Sequence, residues 1–246
     1  MRLEKYQACG NDFIIINEYH HDFNSLAKKL CNRHYSIGAD GLIYIDEESL
    51  LIRFFNSDGS EALLCGNGLR CAGLYLFNKG IFLDYLQVCT LKQTYQLILE
   101  NNNPYIVKII FPLIKNKIEE KIINVNEQSY NFMKIDVGNK HAITIIDDMN
   151  IDEKLAEAIS KKLSKYNIDF VRVINRRKIQ VKTYEKGVGF TLSCGSGSFA
   201  SVLCLYQKQL IDEIVDIDIN NHFLQINLFT NSLSGDVERV FECEIQ

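Results

Sequence analysis

The chain is built from short apolar runs separated by clusters of turn-forming residues. Five runs are rich in β-branched and aromatic residues, which is typical of strands: FIIIN from Phe13, GLIYI from Gly41, LLIRFFN from Leu50, YQLILE from Tyr95 and YIVKIIF from Tyr105. The segment ENNNPY stands between the last two runs. Because Asn and Pro favour turns, this segment predicts a hairpin.

Four other segments predict helices. SLAKKLCNRH and EKLAEAISKKLSKY have helical periodicity, and Asp152 stands near the start of the second. GLRCAGLYLFNKG ends at Gly80, a predicted C-cap. GSFASVLCLYQKQ is apolar through most of its length, which is typical of a buried helix. The pattern predicts an α/β protein of the α+β type, with strand-rich sheets wrapped around buried helices.

The two halves of the chain repeat one another in content and spacing. GNDFIIIN and CGNGLRC in the first half correspond to GNKHAITII and CGSGSFA in the second. Gly10 precedes Cys65 by 55 residues, and Gly138 precedes Cys194 by 56. Asn56 and Glu185 each stand nine residues before their cysteine. We interpret this as an internal duplication that gives two pseudo-symmetric domains, and FPLIKNKIEEKI from Phe111 is the predicted crossover between them.

Each half therefore places a cysteine and a Gly-x-Gly turn before a predicted buried helix. The unpaired N–H groups of a helix start stabilise a thiolate and bind carboxylates, so we expect the pKa of each thiol to fall below its usual value of about 8.5. A purely structural role, in which Cys65 and Cys194 fill tight turns, is the alternative for a single motif. Two motifs in register favour chemistry. If the two domains face each other, two thiols would stand on opposite sides of one ligand.

Composition narrows the class of protein. The chain has 246 residues, 47% of them hydrophobic, which suffices for two domains of about 120 residues. A net charge of -4 argues against nucleic acid as a partner, and NRRKIQVK from Asn175 is interpreted as a strand with a charged face. No apolar run approaches a membrane span, and the N-terminus resembles no signal peptide, so we expect a cytoplasmic protein without membrane contact. The eight cysteines lack CxxC or zinc-finger spacing, so no metal is predicted.

Over nearly its whole length the sequence resembles the diaminopimelate epimerase family. The motifs that carry the resemblance occur in the family's order: CGNDF, FNSDGSEALLCGNGLRCAG, GNKHA, YEKGVGFTLSCGSGSFA and VFECEI. The resemblance implies a cofactor-independent enzyme that interconverts LL- and meso-diaminopimelate for lysine and peptidoglycan synthesis. It also implies an active site in a cleft between the domains, a terminal strand that returns to the first domain, and a homodimer. The implied domains are 1–113 with 235–246, and 114–234.

The resemblance also implies the roles of individual residues. Cys65 and Cys194 match the acid–base pair, and His141 and Glu185 match the groups that assist them. Glu185 also matches the contact to the substrate amino group. The cradle of the reacting carboxylate is matched by Gly66, Asn67, Gly195 and Ser196, and polar substrate contacts by Asn11, Asn56, Asn139 and Asn167.

Three departures from the family pattern stand near these positions. Lys186 replaces the usual Arg, which keeps the positive charge but loses the planar, bidentate grip on a distal carboxylate. Phe190 stands where the family often has Glu, and Lys140 stands where Pro is common. None of these changes removes a catalytic group, but Lys186 makes specificity for a substrate with two carboxylates less secure.

Other functions remain open on the sequence alone. A racemase of another amino acid would share the architecture and both thiols. An anion-binding protein could use the helix starts, but would leave paired cysteines unexplained. A thiol peroxidase would need an attacking and a resolving cysteine, and that pattern is not evident. Asp58 and Glu61 could be catalytic carboxylates, although turn formation and helix-start electrostatics explain them more simply.

Overall fold

The computed structural model describes residues 1–82, 84–112, 117–219 and 222–245. The chain divides into two compact units. Unit 1 comprises Met1–Pro112 and Ser234–Gln246, and unit 2 comprises Leu113–Leu233. The predicted crossover lies partly at residues 113–116, outside the described residues.

The described residues form four helices and eighteen strands. The helices are α1 (Phe23–Leu30), α2 (Gly66–Asn78), α3 (Glu153–Lys162) and α4 (Gly195–Gln207). The strands of the first half are β1 (Arg2–Ala8), β2 (Asn11–Ile16), β3 (Gly41–Asp46), β4 (Leu51–Asn56), β5 (Glu61–Ala62), β6 (Tyr85–Cys89), β7 (Thr94–Asn102) and β8 (Tyr105–Ile110). The others are β9 (Glu119–Val125), β10 (Gln128–Asp136), β11 (Lys140–Ile145), β12 (Asn167–Asn175), β13 (Lys178–Glu185), β14 (Gly189–Phe190), β15 (Ile214–Ile217), β16 (Leu224–Asn227), β17 (Ser232–Asp236) and β18 (Glu238–Glu244).

Unit 1 is a strand-rich sheet around one buried helix. β1 pairs antiparallel with β2 and with the terminal strand β18, and β2 pairs parallel with β3. β4 then returns antiparallel to β3, and β6, β7 and β8 form a meander. The first eleven residues of α2 are buried. α1 packs its apolar face, which includes Leu26 and Leu30, into a second cluster that contains Leu42 and Phe55.

Unit 2 repeats this order of elements. β11 pairs parallel with β12, β13 returns antiparallel, and the short β14 leads to the buried helix α4. α3 lies between β11 and β12 in the chain, as α1 lies between β2 and β3, and it buries Ala156 and Ile159 against a core that contains Phe170. The internal duplication predicted from spacing is therefore present as a repeat of topology.

Most predicted elements are confirmed, with two differences of detail. The hairpin at ENNNPY joins β7 to β8, and VFECEI lies in β18 and its flank. The prediction that NRRKIQVK forms one strand is wrong, because residues 176–177 form the turn between β12 and β13. Gly80 follows the capping residue Lys79, and its φ of 72° is the left-handed conformation that glycine adopts after a helix end.

Asp12 at the start of β2 forms ion pairs with two positively charged side chains of unit 1. Its Oδ1 lies 2.6 Å from Arg33 Nη2, and its Oδ2 lies 2.8 Å from Lys5 Nζ. Burial alone would raise the pKa of Asp12, but the hydrogen bonds from Arg33 and Lys5 lower it to about 2. A carboxylate with a lowered pKa stabilises the fold above its unfolded pKa, and this contribution is lost as the pH falls through the folded pKa.

We expect Asp12→Asn to lower the free energy of unfolding by about 2 kcal/mol at neutral pH. The difference from the parent should shrink as the pH falls from 4 towards 2, because the parent carboxyl is then protonated as well. Urea unfolding at pH 7 and pH 2.5 measures both values. Asp84→Asn, at an exposed aspartate, is the control. An equal loss at both pH values would show that the charge of Asp12 does not stabilise the unit.

Candidate active site

The two helix starts have nearly the same backbone conformation. Cys65 is the N-cap residue of α2, with φ -138° and ψ 111°. Cys194 is the N-cap residue of α4, with φ -130° and ψ 106°. Both cysteines are half-buried, and both helices have 13 residues. Each unit therefore holds one thiol at the N-terminus of a buried helix, where backbone N–H groups can bind an anion.

In unit 1 the thiol caps its own helix, and the second helical residue is held by a network. Cys65 Sγ accepts a hydrogen bond from the Gly68 N–H at 3.3 Å. Asn67 Nδ2 donates to Asn11 Oδ1 at 3.1 Å, and the fully buried Arg70 donates from Nη2 to Asn67 Oδ1 at 3.0 Å. The predicted residues Cys65, Asn67 and Asn11 are thus brought together, with Arg70 behind them.

In unit 2 a continuous chain of polar contacts starts at the thiol and ends in the core. Cys194 Sγ lies 3.5 Å from Ser196 Oγ, which lies 3.0 Å from His141 Nε2. His141 Nδ1 lies 2.7 Å from Asp169 Oδ2, and Thr183 donates to Asp169 Oδ1 at 2.8 Å. His141 and Asp169 are both fully buried. Predicted residues Cys194, Ser196 and His141 therefore lie in one network.

Burial raises the pKa of both Glu185 and Cys194. Burial raises the pKa of Glu185, while hydrogen bonds from Thr191, at 2.9 Å, and from Cys194 act against this rise. Burial also raises the pKa of the Cys194 thiol well above its usual range, and the carboxylates of Glu185 and Asp169 raise it further. The predicted fall in the pKa of this thiol is therefore wrong, because burial and two carboxylates outweigh the helix start.

The remaining predicted residues lie in turns or at strand ends. Asn167 Oδ1 accepts a hydrogen bond from the backbone N–H of Lys186 at 3.0 Å, which ties the start of β12 to the turn after β13. Lys186 is exposed, and Asn139 is half-buried in the turn before β11. Asn56 is exposed and donates to Ser60 Oγ at 2.9 Å. Gly66 and Gly195 are buried as the first residues of their helices.

Two acidic residues near Cys65 have structural contacts. Asp58 accepts hydrogen bonds from the backbone and side chain of Ser60 at 2.8 and 2.6 Å, as expected for a turn residue. Glu61 Oε1 lies 2.7 Å from Arg53 Nε. These contacts agree with the simpler of the two interpretations of Asp58 and Glu61.

Sequence reasoning missed Asp169, Thr183 and Arg70. Each is buried and contacts a predicted site residue directly or through one neighbour. The available signal was a charge inside an apolar pattern: Asp169 interrupts the strand NIDFVRVI, and Arg70 stands in the apolar helix α2. A buried charge is costly unless it is paired, so such an interruption marks either a network or a site.

Neither a metal site nor a membrane-spanning helix is found among the described residues. Residues 1–82, 84–112, 117–219 and 222–245 contain no group of three His, Cys, Asp or Glu side chains placed to hold a metal ion. Within the same residues, no helix has the length and apolar character needed to cross a bilayer.

Solved structures that share this fold include a probable proline racemase and a predicted epimerase. A probable proline racemase from Agrobacterium radiobacter K84, with bound carbonate, aligns with a TM-score of 0.78 at 9% identity over 100% of this chain and 92% of its own. A predicted epimerase from Pseudomonas aeruginosa aligns with a TM-score of 0.71 at 11% identity over 99% and 98%. At these identities the likeness shows the fold alone.

Sequence comparison identifies the family of this chain. The model of the diaminopimelate epimerase family matches residues 3–109 and 133–237, once in each half. The diaminopimelate epimerase of Caldanaerobacter subterraneus subsp. tengcongensis is 33% identical over 100% of both chains. That of Clostridium perfringens is 33% identical over 99% of this chain and 98% of its own. The chain belongs to the diaminopimelate epimerase family, and the protein is an isomerase.

Proposed function

We propose that this isomerase interconverts LL- and meso-diaminopimelate, with Cys65 and Cys194 as its two acid–base groups. The observation that carries the proposal is the repeat of one device: each unit places a half-buried thiol at the N-terminus of a buried helix. Inversion of a carbon by two groups needs a base on one face and an acid on the other. Two duplicated units supply two such groups, and one unit supplies only one.

In the proposed reaction one cysteine thiolate removes the α-proton, and its sulfur becomes a thiol. The electron pair left on the carbon then takes a proton from the other thiol, which becomes a thiolate. The raised pKa of Cys194 supports the role of proton donor, because this thiol keeps its proton at neutral pH. When Cys194 donates its proton, Cys65 is the base that removes the α-proton. The two cysteines exchange these roles in the reverse reaction.

The helix starts would hold the reacting carboxylate. Backbone N–H groups at Gly66 and Asn67, and at Gly195 and Ser196, are the donors in the first turns, and negative charge is favoured at this end of a helix. The charge that develops next to this carboxylate in the transition state is stabilised by the same N–H groups. Glu185, with its raised pKa, would meet the substrate amino group.

We assign the distal end of the substrate to several members of the polar set named from the family pattern. Its members are Asn11, Asn56, Asn139, Asn167 and Lys186. The exposed Lys186 supplies the positive charge for the distal carboxylate, and as a compact ammonium group it binds less directionally than Arg. The backbone contact from Lys186 to Asn167 supports this grouping.

The wider biological setting follows from the proposed reaction. The two epimerase domains would be residues 1–113 with 235–246, and residues 114–234. The reaction would need no cofactor and would serve lysine and peptidoglycan precursor synthesis in the cytoplasm. Formation of a homodimer stays a prediction.

Incubation of the reduced protein with LL-diaminopimelate, without added metal or cofactor, tests the function. We expect meso-diaminopimelate to form and the mixture to reach equilibrium from either isomer, as measured by chiral chromatography. Proline, hydroxyproline, glutamate and lysine are the parallel substrates. Racemisation of one of these, with diaminopimelate unchanged, would show that the substrate is that amino acid. If neither diaminopimelate nor any of the four were converted, the proposed activity would be overturned.

A further inference from the structure

The buried polar network of unit 2 has an apolar counterpart in unit 1. In unit 2, His141 pairs with Asn167 across the parallel strands β11 and β12, and Asp169 pairs with Thr183 across β12 and β13. In unit 1, Phe13 pairs with Gly41 across β2 and β3, and Ile43 pairs with Phe54 across β3 and β4. The repeat therefore places Phe13 at the position of His141, Ile43 at that of Asp169, and Phe54 at that of Thr183.

The same correspondence extends to the helix glycines. Gly68 and Gly197 each stand three residues after their cysteine. A Cβ atom on Gly68 would lie 2.8 Å from Phe54 Cε1, and a Cβ atom on Gly197 would lie 2.3 Å from Asp169 Oδ1 and 2.9 Å from Thr183 Oγ1. In both units the start of the buried helix therefore packs closely against the same positions of the sheet.

Unit 1 shows that apolar side chains fill these positions well. Phe13, Ile43 and Phe54 are buried in the core of their unit. A buried carboxylate and imidazole in the same places must be paired to offset the loss of their hydration, so folding alone gives no reason for them. Departures from a local packing rule are concentrated at functional sites. The polar set of unit 2 therefore points to the chemistry at the start of α4.

We propose that Asp169 is a positioning residue that controls the proton of Cys194 through His141 and Ser196. The proposal rests on the proposed function in one respect, namely that Cys194 is an acid–base group. Asp169 lies behind the helix start and acts on the thiol through two intermediate side chains.

The directions of the hydrogen bonds follow from the chemistry of the groups. A carboxylate oxygen only accepts, so His141 carries its hydrogen on Nδ1, where it donates to Asp169 Oδ2. His141 Nε2 is then an acceptor, and it takes the hydroxyl hydrogen of Ser196. The oxygen of Ser196 can then accept from the Cys194 thiol when the single S–H hydrogen points to Ser196 instead of to Glu185. Asp169 thus fixes the tautomer that lets all three contacts point the same way.

This arrangement transfers one proton in net terms from the Cys194 thiol to His141, and Ser196 ends unchanged. The thiol of Cys194 gives its proton to Ser196 Oγ while the Ser196 hydroxyl gives its own to His141 Nε2. The products are a thiolate, an unchanged hydroxyl and an imidazolium, which the carboxylate of Asp169 stabilises. The reverse transfer restores the thiol. The relay therefore offers Cys194 a route to the thiolate despite its burial.

Two effects of Asp169 on Cys194 have opposite signs. As a negative charge, Asp169 disfavours a nearby thiolate, as does Glu185 on β13. As the partner of His141, it favours the imidazolium and with it the thiolate. Cys204 on α4 also faces this charge, and burial keeps the pKa of its thiol high, at about 12. Removal of the charge therefore shifts the titration of Cys194 upward if the relay operates and downward if only direct repulsion does.

The test is the pH dependence of iodoacetamide alkylation at each cysteine, followed by peptide mass spectrometry without substrate. In Asp169→Asn we expect the midpoint for Cys194 to rise by about one pH unit or more. The midpoint for Cys65, on the other unit, should not move and serves as the internal reference. With diaminopimelate, kcat should fall about 100-fold while KM changes less than about threefold.

Matched variants separate this role from a general effect on the core. Ile43→Val alters the counterpart position in unit 1 and should lower the melting temperature slightly, with both alkylation midpoints unchanged. His141→Gln breaks the relay at the next group and should raise the Cys194 midpoint in the same way, even if Asp169→Asn folds poorly. In the Ser196→Ala background, where the relay is cut, Asp169→Asn should no longer raise the midpoint.

A downward or absent shift at Cys194 in Asp169→Asn and His141→Gln would overturn the relay. So would an equal shift at Cys65. Because the alkylation needs no substrate, failure of the parent protein to epimerise diaminopimelate would count against the proposed function alone and leave the thiol result to stand or fall by itself.

Discussion

Replacement of Cys194 by alanine is expected to abolish the interconversion of LL- and meso-diaminopimelate, and replacement of Cys65 is expected to do the same. In the proposed mechanism each thiol serves one face of the carbon, so loss of either thiol leaves the inversion incomplete. General acid–base groups contribute about 10²- to 10⁴-fold, and loss of one of an obligatory pair should lower kcat by at least about 10³-fold. Both cysteines are half-buried cap residues, so the melting temperature should change little.

The single-cysteine variants should also differ from each other in exchange. A variant that keeps one thiol can still remove and return a proton on its own face of the carbon. In D2O, each of the variants Cys65→Ala and Cys194→Ala should therefore slowly exchange the α-hydrogen for deuterium without inversion. The two variants should do so on α-carbons of opposite configuration. Cys89→Ala, at an exposed cysteine outside both helix starts, is the matched control and should keep full activity. Full epimerase activity in either helix-start variant would contradict the two-base account.

Substitution of Gly197 by alanine is the second change with a large expected effect. The new Cβ atom would lie 2.3 Å from Asp169 Oδ1 and 2.9 Å from Thr183 Oγ1, closer than real Cβ contacts allow. Since both neighbours belong to a buried network, the helix start or the carboxylate must move. We expect kcat to fall by about 100-fold or more, because small displacements of catalytic groups are costly, and the free energy of unfolding to fall by about 1–3 kcal/mol.

Ser201→Ala is the control on the same helix. Ser201 is fully buried in α4, and its Oγ has no hydrogen-bond partner among the described residues. Because removal of an unsatisfied buried hydroxyl removes a desolvation cost, this variant should be as stable as the parent or more stable, with unchanged kcat. Steady-state kinetics and thermal unfolding of both variants test the comparison. Parental activity in Gly197→Ala would show that the packing of α4 on Asp169 does not position the site.

The sequence was sufficient for the elements and for the repeat. Apolar spacing placed α3 after Asp152 and identified α4 as buried, because periodicity and capping are local properties. The duplicated spacing before Cys65 and Cys194 located both helix starts, since equal separations in two halves are visible without coordinates. Resemblance to a family then implied roles for His141 and Glu185, which spacing alone did not distinguish from surface or core residues.

The sequence was insufficient where the outcome depends on contacts across strands. Asp169 and Thr183 are neighbours because of the register between β12 and β13, and no local pattern gives that register. The prediction that the pKa of Cys194 is lowered is wrong for the same reason. A helix start is a local feature, whereas burial and the carboxylates of Glu185 and Asp169 come from the tertiary structure.

The early isotope distribution in D2O tests the two-base claim most directly. LL-diaminopimelate is incubated with the enzyme in D2O, and the α-positions of substrate and product are followed by NMR and mass spectrometry during the first few per cent of reaction. The account predicts one deuterium in each molecule of meso product, delivered by the second thiol, while the recovered LL substrate remains protiated. The same must hold when the reaction starts from the meso isomer. Deuterium that enters the recovered substrate as fast as product forms would indicate a single base and would contradict the account.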